Sequence, residues 1–194
     1  HGLPWHDAWR PRLARLADLL GRFNARTNLV GDAGPEAVAD HLLEALVVAA
    51  AARDALGRAP AAAVDVGAGA GLEAVALALA FPEARIVAVE PRAKRASFIE
   101  LAADAIGTRG LQVVAGTLDQ ARLQPEFDLV TARAVWSPEV WLGHATRIVA
   151  PAGVVAVHAA PEVGGKLAAA GWNIAANRAV PGVRGHAVLL VAPG

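Results

Sequence analysis

The sequence predicts an α/β protein. A doubly wound, mainly parallel sheet is expected over residues 58–194, preceded by a helical section over residues 1–57. Three observations carry this. From residue 61 onward, short apolar runs alternate with helical patterns, the rhythm of successive βαβ units. Most of those runs are continuous rather than alternating, as in strands covered on both faces. Before residue 57 the apolar residues instead recur at steps of three and four. A length of 194 residues suits one compact unit, and a hydrophobic share of 55% excludes a disordered chain.

Trp9, Leu13, Leu16, Leu20 and Phe23 share one helical stripe, which predicts an amphipathic helix ending between Asn24 and Asn28. Pro35 suits the first position of a second helix. Its apolar face is Val38, Leu42, Ala45, Leu46 and Ala49, and it stops at Gly57. Strands are expected at 63–66, 86–90, 111–114, 127–131 and 153–158. Helices are expected between them at 72–80, 91–106 and 140–149, then at 164–170. Two late strands, 172–176 and 187–191, close the chain. In such a sheet, ligands sit at the carboxyl ends of the strands.

Lys and Arg number 18, as do Asp and Glu, which excludes a strongly basic coat for nucleic acid but not a local basic patch. The absence of cysteine removes disulfides, thiolate zinc sites and thiol nucleophiles. The most apolar stretch, 42–52, is broken by Glu44 and is too short to span a bilayer. Charged residues interrupt the first twenty positions, so no signal peptide is read and a soluble, cytoplasmic protein is expected; a monomer is expected as well. With no methionine even at position 1, the sequence is expected to be a processed, tagged or incompletely written version of its gene product. The six histidines, His1, His6, His41, His144, His158 and His186, show neither metal-ligand spacing nor a tight carboxylate cluster, so no metal site is expected. His41 reads as structural. His158, at the end of the fifth strand, is placed equally for function or packing. Ser97 and Ser137 lack the His–Asp arrangement of a serine hydrolase.

Asp65-Val66-Gly67-Ala68-Gly69-Ala70-Gly71 leaves a strand and opens a helix. Its alternate glycines allow a tight turn and close approach of a ligand to the main chain. Gly69-x-Gly71-x-x-Ala74, with Glu90 about 20 residues on, formally fits a dinucleotide fingerprint. Charge points elsewhere, because Asp65 and Glu73 near a pyrophosphate are unfavourable. S-adenosylmethionine, with a sulfonium and an amino group, is better served. Asp65 would help hold the amino group, and Glu90 would accept both ribose hydroxyls.

Further segments carry a family resemblance. They are Phe23-Asn24-Ala25-Arg26-Thr27-Asn28-Leu29, His41-Leu42-Leu43-Glu44, the glycine loop through Leu72, Glu90-Pro91-Arg92-Ala93-Lys94-Arg95-Ala96-Ser97-Phe98 and Phe127-Asp128-Leu129-Val130-Thr131-Ala132-Arg133-Ala134. In this order the chain resembles the GidB/RsmG family of 16S rRNA guanine-N7 methyltransferases, from about Leu16 to His158. The resemblance implies a Rossmann-like class I methyltransferase sheet, S-adenosylmethionine as cofactor, and 16S rRNA or the small ribosomal subunit as partner. It implies that Gly67 and Leu72 line the cofactor pocket and that Leu118 and Asp119 flank the adenine. Arg133 would sit at the mouth shared by cofactor and substrate, as the catalytic candidate. Lys94 and Arg95 would contact RNA phosphates. Trp136, just beyond Arg133, is placed to stack on a base or to pack in the core.

The chain departs from the family pattern at Asp40, at Glu73-Ala74, at Thr117-Leu118-Asp119 and at His158-Ala159. Three basic positions, which the resemblance implies as RNA contacts, are thereby missing. Another RNA, a small molecule, or a cofactor-binding protein without turnover therefore stay open as alternatives. Guanine N7 carries a lone pair and no proton, so its methylation needs placement and desolvation rather than a general base. The sequence offers no evident acid–base dyad.

Overall fold

The computed structural model describes residues 5–183 and 185–193. Two helices come first, α1 (Trp9–Thr27) and α2 (Pro35–Leu56). They are followed by β1 (Ala62–Val66), α3 (Leu72–Ala80), β2 (Arg85–Glu90), α4 (Ala93–Ile106), β3 (Leu111–Ala115), α5 (Leu118–Ala121) and β4 (Phe127–Ala132). The chain ends with α6 (Pro138–Ala145), β5 (Val149–Ala159), α7 (Val163–Ala169), β6 (Asn173–Ala179) and β7 (Ala187–Ala192). Strands β1 to β5 are parallel, and β7 runs antiparallel between β5 and β6. The order is β3-β2-β1-β4-β5-β7-β6. From β1 the chain builds outward to β2 and β3, then returns to β4 on the other side. That reversal opens a crevice at the carboxyl ends of β1 and β4.

Burial explains the apolar runs. Ala63, Ile86, Ala88 and Leu129 on one sheet face pack with Val48, Leu77 and Ile99 from α2, α3 and α4. On the other face Val64, Val87 and Val130 pack with Trp141, Leu142 and Leu167 from α6 and α7. Helix α1 lays Leu16 and Leu20 into a cluster with Phe98, Ala102 and Ile106 of α4. Arg12 donates to the carbonyls of Ile106 (2.6 Å) and Gly107 (3.0 Å) at the end of α4. Arg95 near its start donates to the Asn28 carbonyl at the end of α1 (3.2 Å). The two helices therefore run antiparallel. Helix α2 packs on α3 and reaches β5, β6 and β7. No described helix is long and apolar enough to cross a membrane.

The structure corrects two expectations. Helix α6 stops at Ala145, and β5 begins at Val149 rather than at 153. Phe127 pairs with Val149 but Leu129 with Val154, so β5 bulges between them. Pro151, which cannot donate to a ladder, sits in that bulge. A Cβ at Gly153 would lie 2.8 Å from the Phe127 carbonyl oxygen where the strand rejoins. The short helix α5 is unforeseen. Thr117 and Gln120 build it with a reciprocal capping box, in which the Thr117 amide donates to Gln120 Oε1 (2.9 Å) and the Gln120 amide to Thr117 Oγ1 (3.3 Å).

Candidate active site

A cavity of about 960 Å³ opens at the carboxyl ends of the parallel strands, large enough for a drug-sized ligand. Asp65 lies one residue before the end of β1, Glu90 closes β2, Arg133 follows β4 and His158 lies near the end of β5; all four line it. The loop after β1 turns through three left-handed glycines, Gly67, Gly69 and Gly71, with φ of 73°, 60° and 72°. The Gly67 and Ala68 amides both donate to the Val89 carbonyl, at 2.8 and 3.0 Å, which fastens the loop to β2. Glu90 fixes it further: Oε2 accepts from the Gly69 amide (2.8 Å) and Oε1 from the Arg92 amide (2.9 Å). Each carboxylate oxygen retains lone-pair capacity for another donor.

Gly67 and Gly71 have packing roles as well. A Cβ at Gly67 would lie 2.5 Å from Val135 Cγ2, and one at Gly71 would lie 2.8 Å from Ile99 Cγ1 in the core. Gly71→Ala thus combines left-handed strain with overpacking and is expected to cost about 2–5 kcal/mol. Urea unfolding checks this, and wild-type stability would contradict it.

Two charge clusters, each built on a buried glutamate, face the cavity. Asp65 Oδ2 has no hydrogen-bond partner. Burial, with repulsion from Glu73 added, pushes the Asp65 carboxyl up to about 8. Glu73 accepts from Thr131 Oγ1 at 2.6 Å and lies 3.1 Å from His158 Nε2. Burial alone would raise Glu73, but His158 and Thr131 outweigh it and hold the carboxyl below its usual range. Burial likewise would lower His158, but Glu73 overcomes it and holds the imidazole above its usual value. The Nδ1 of His158 has no partner.

The second cluster surrounds Glu44 of α2. Arg133 Nη1 donates to Glu44 Oε2 at 2.8 Å, and His186 Nδ1 lies 3.0 Å from Oε1. Arg133 Nη1 also reaches His41 Nδ1. Burial raises Glu44, but hydrogen bonds from His41 and Arg133 prevail and bring it down to about 2. The expectation that no histidine joins a tight carboxylate cluster is therefore corrected: His158, His41 and His186 all do. His1 lies outside the described residues. Among those described, no group of three or more metal-ligating side chains could hold an ion.

His158→Ala is expected to leave Glu73 buried without its cation, beside Asp65, and to cost about 3–5 kcal/mol. Glu73→Ala in the same chain is expected to restore most of that stability, because the two contributions are coupled. A denaturant-based double-mutant cycle at pH 7 measures the coupling. Additive losses would contradict the pairing.

The structure brings Asp65, Gly67, Gly69, Leu72, Glu90 and Arg133 to one cavity, and Arg95 also lines it. Gly71 forms the hinge into α3. Leu118 and Asp119 do not line this cavity. The capping box turns their segment into α5, where Leu118 packs toward the core and Asp119 is exposed, 4.0 Å from Arg147. Lys94 is exposed outside the cavity. Trp136 also lies outside it, stacked on Trp141 with ring centroids 5.7 Å apart and 4.9 Å from the ring of His144. Sequence reasoning missed Glu44 and His186 as site residues. The signal for Glu44 was an acid inside the most apolar helical stretch; His186 arrives from the loop before β7 and offered none.

Residues 10–162 match the model of the GidB family, rRNA small subunit methyltransferase G. The chain belongs to this family. Ribosomal RNA small subunit methyltransferase G of Myxococcus xanthus is 34% identical over 164 residues, 82% of this chain and 73% of that protein. The protein of that name from Acidiphilium cryptum is 34% identical over 171 residues, 86% of this chain and 76% of its own. A methyltransferase structure from Geobacter sulfurreducens superimposes with a TM-score of 0.63 at 18% identity, covering 99% of this chain and 91% of that one. A SAM-dependent methyltransferase from Aquifex aeolicus gives 0.55 at 16% identity, covering 67% and 80%. At such identities the likeness is one of fold, that of class I methyltransferases. GidB membership also decides between the two readings of the glycine loop. Charge excludes a dinucleotide less firmly than the sequence implies, because His158 covers Glu73 and burial keeps a proton on Asp65 near neutral pH.

Proposed function

We propose that this protein is an S-adenosylmethionine-dependent methyltransferase acting on N7 of a guanine in the 16S rRNA of the small ribosomal subunit. Asp65 carries the cofactor assignment. A buried carboxyl with a partnerless oxygen, beside a loop whose glycines leave its main chain open, suits a cationic ligand group. The cofactor's amino group is such a cation, and Glu90 has acceptor capacity for its two ribose hydroxyls. Gly67, Gly69 and Leu72 would form the wall behind it. Bound there, the cofactor supplies an electrophilic methyl group on a sulfonium.

The chain's own part is placement and exclusion of water. N7 presents an in-plane lone pair and has no proton to lose, so no residue need act as a base. Glu44 anchors the Arg133 guanidinium at the cavity wall. Its remaining N–H groups suit an acceptor such as the guanine O6. The exposed Trp136 offers a stacking surface for a splayed base.

The test is methyl transfer from labelled S-adenosylmethionine to small subunits taken from cells lacking their own enzyme of this family. Digestion is expected to yield labelled 7-methylguanosine. Label in another nucleoside would overturn the N7 assignment, and no label in rRNA would overturn the substrate.

A further inference from the structure

The zero net charge conceals a segregation of charge. Residues 9–28 and 91–97 hold eight of the 18 Lys and Arg residues and one of the 18 Asp and Glu residues. These segments are α1 with its cap, and the loop and first turn of α4. Five of the eight, Arg22, Arg26, Arg92, Lys94 and Arg95, lie at one end of an antiparallel pair, and Arg10, Arg12 and Arg15 lie toward the other. Phe23 packs on Phe98 with ring centroids 5.6 Å apart. Arg26 lies one turn beyond Phe23, and Lys94 one turn before Phe98. In antiparallel helices those two positions fall at the same end. There Arg95 holds the Asn28 carbonyl, and Leu29, Val30 and Gly31 join the cavity wall.

Arg22, Arg26, Arg92 and Lys94 are all exposed. Arg22 pairs with Asp18 on the helix surface at 2.8 Å, a contact weak enough for a phosphate to displace. On the first two turns of α2, just before His41 and Glu44 join another part of the wall, the exposed charges are acidic: Glu36 and Asp40. The rim of the cavity is therefore basic on one side and acidic on another.

We infer that the phosphate backbone of the substrate RNA is gripped at the junction of α1 and α4, with Arg22, Arg26, Arg92 and Lys94 as its contacts. This rests on the rRNA reading above and names its docking surface. A polyanion crossing this junction passes the mouth of the cavity, so a base splayed from it is delivered toward Asp65 and Arg133. The contacts neutralise phosphates and so are read in the salt dependence of binding.

The test uses the full chain and the small subunits described above, with affinity measured across salt concentrations. The double variant Arg26→Ala/Lys94→Ala is expected to flatten the slope of log affinity against log salt by about 2. Affinity for S-adenosylhomocysteine should stay at the wild-type value, since neither side chain lines the cavity. Arg109→Ala, exposed just before β3 at the opposite end of the sheet, should leave the slope unchanged. A wild-type slope in the double variant, with methylation by the wild type intact, would overturn this surface alone. An equal drop for Arg109→Ala would overturn its localisation. Subunits that the wild type neither binds nor methylates would overturn the rRNA reading and this surface with it.

Discussion

Asp65→Asn is expected to weaken S-adenosylhomocysteine binding by roughly 10- to 100-fold and, in the same protein, to raise the melting temperature of the free form at pH 8. The affinity loss corresponds to one charge-assisted hydrogen bond of about 1.5–3 kcal/mol. The gain in stability follows from linkage. The folded Asp65 carboxyl titrates near 8 against an ordinary 3.8, so between those values the folded chain binds more protons than the unfolded one. Stability then falls as pH rises through that window. His158 acts in the same direction. Its folded value lies above the ordinary 6.5, so its contribution is complete below 6.5 and is lost as pH rises through the folded value. The free wild-type protein should therefore melt at lower temperature at pH 8 than at pH 6, and Asp65→Asn should flatten that dependence. Thermal scans across pH, paired with calorimetry, measure both effects. A variant that loses affinity without gaining alkaline stability would contradict the strained state assigned to Asp65.

Glu90→Ala should have the larger effect on the cofactor, an affinity loss of about 100-fold or more. Two ribose hydrogen bonds to a carboxylate are removed together. The Gly69 and Arg92 amides also lose their acceptor, so the glycine loop loses its tie to β2. Because Glu90 is buried, the free protein is expected to melt lower as well, in contrast to Asp65→Asn. Titration with S-adenosylhomocysteine checks the first effect. Affinity within tenfold of the wild type would mean that Glu90 only holds the loop.

The parallel core was legible because β1, β2 and β4 are covered on both faces and hence written as unbroken apolar runs. The glycine loop was legible because left-handed turns demand glycine at fixed spacing. What escaped detection depended on contacts between distant residues. Glu73 and His158 are 85 positions apart, and Glu44 and His186 are 142 apart. No local pattern ties either pair. Glu73 consequently read as a free anion crowding the loop, whereas the fold supplies its cation. The start of β5 was hidden by Pro151 and Gly153, which read as a break but form a bulge. Helix α5 is a different case: Thr117 and Gln120 spell a capping box that is visible in the sequence. It gives the helix, but the packing of Leu118 and the exposure of Asp119 follow from contacts that no local pattern shows.

The most direct test is a calorimetric titration with S-adenosylhomocysteine at pH 7, repeated in two buffers of different ionisation enthalpy, with NAD in parallel. The cavity predicts micromolar binding of S-adenosylhomocysteine, none of NAD, and net proton release as Asp65 gives up its hydrogen to pair with the ligand's amino group. Binding of NAD alone, or binding of S-adenosylhomocysteine with no proton released, would contradict it.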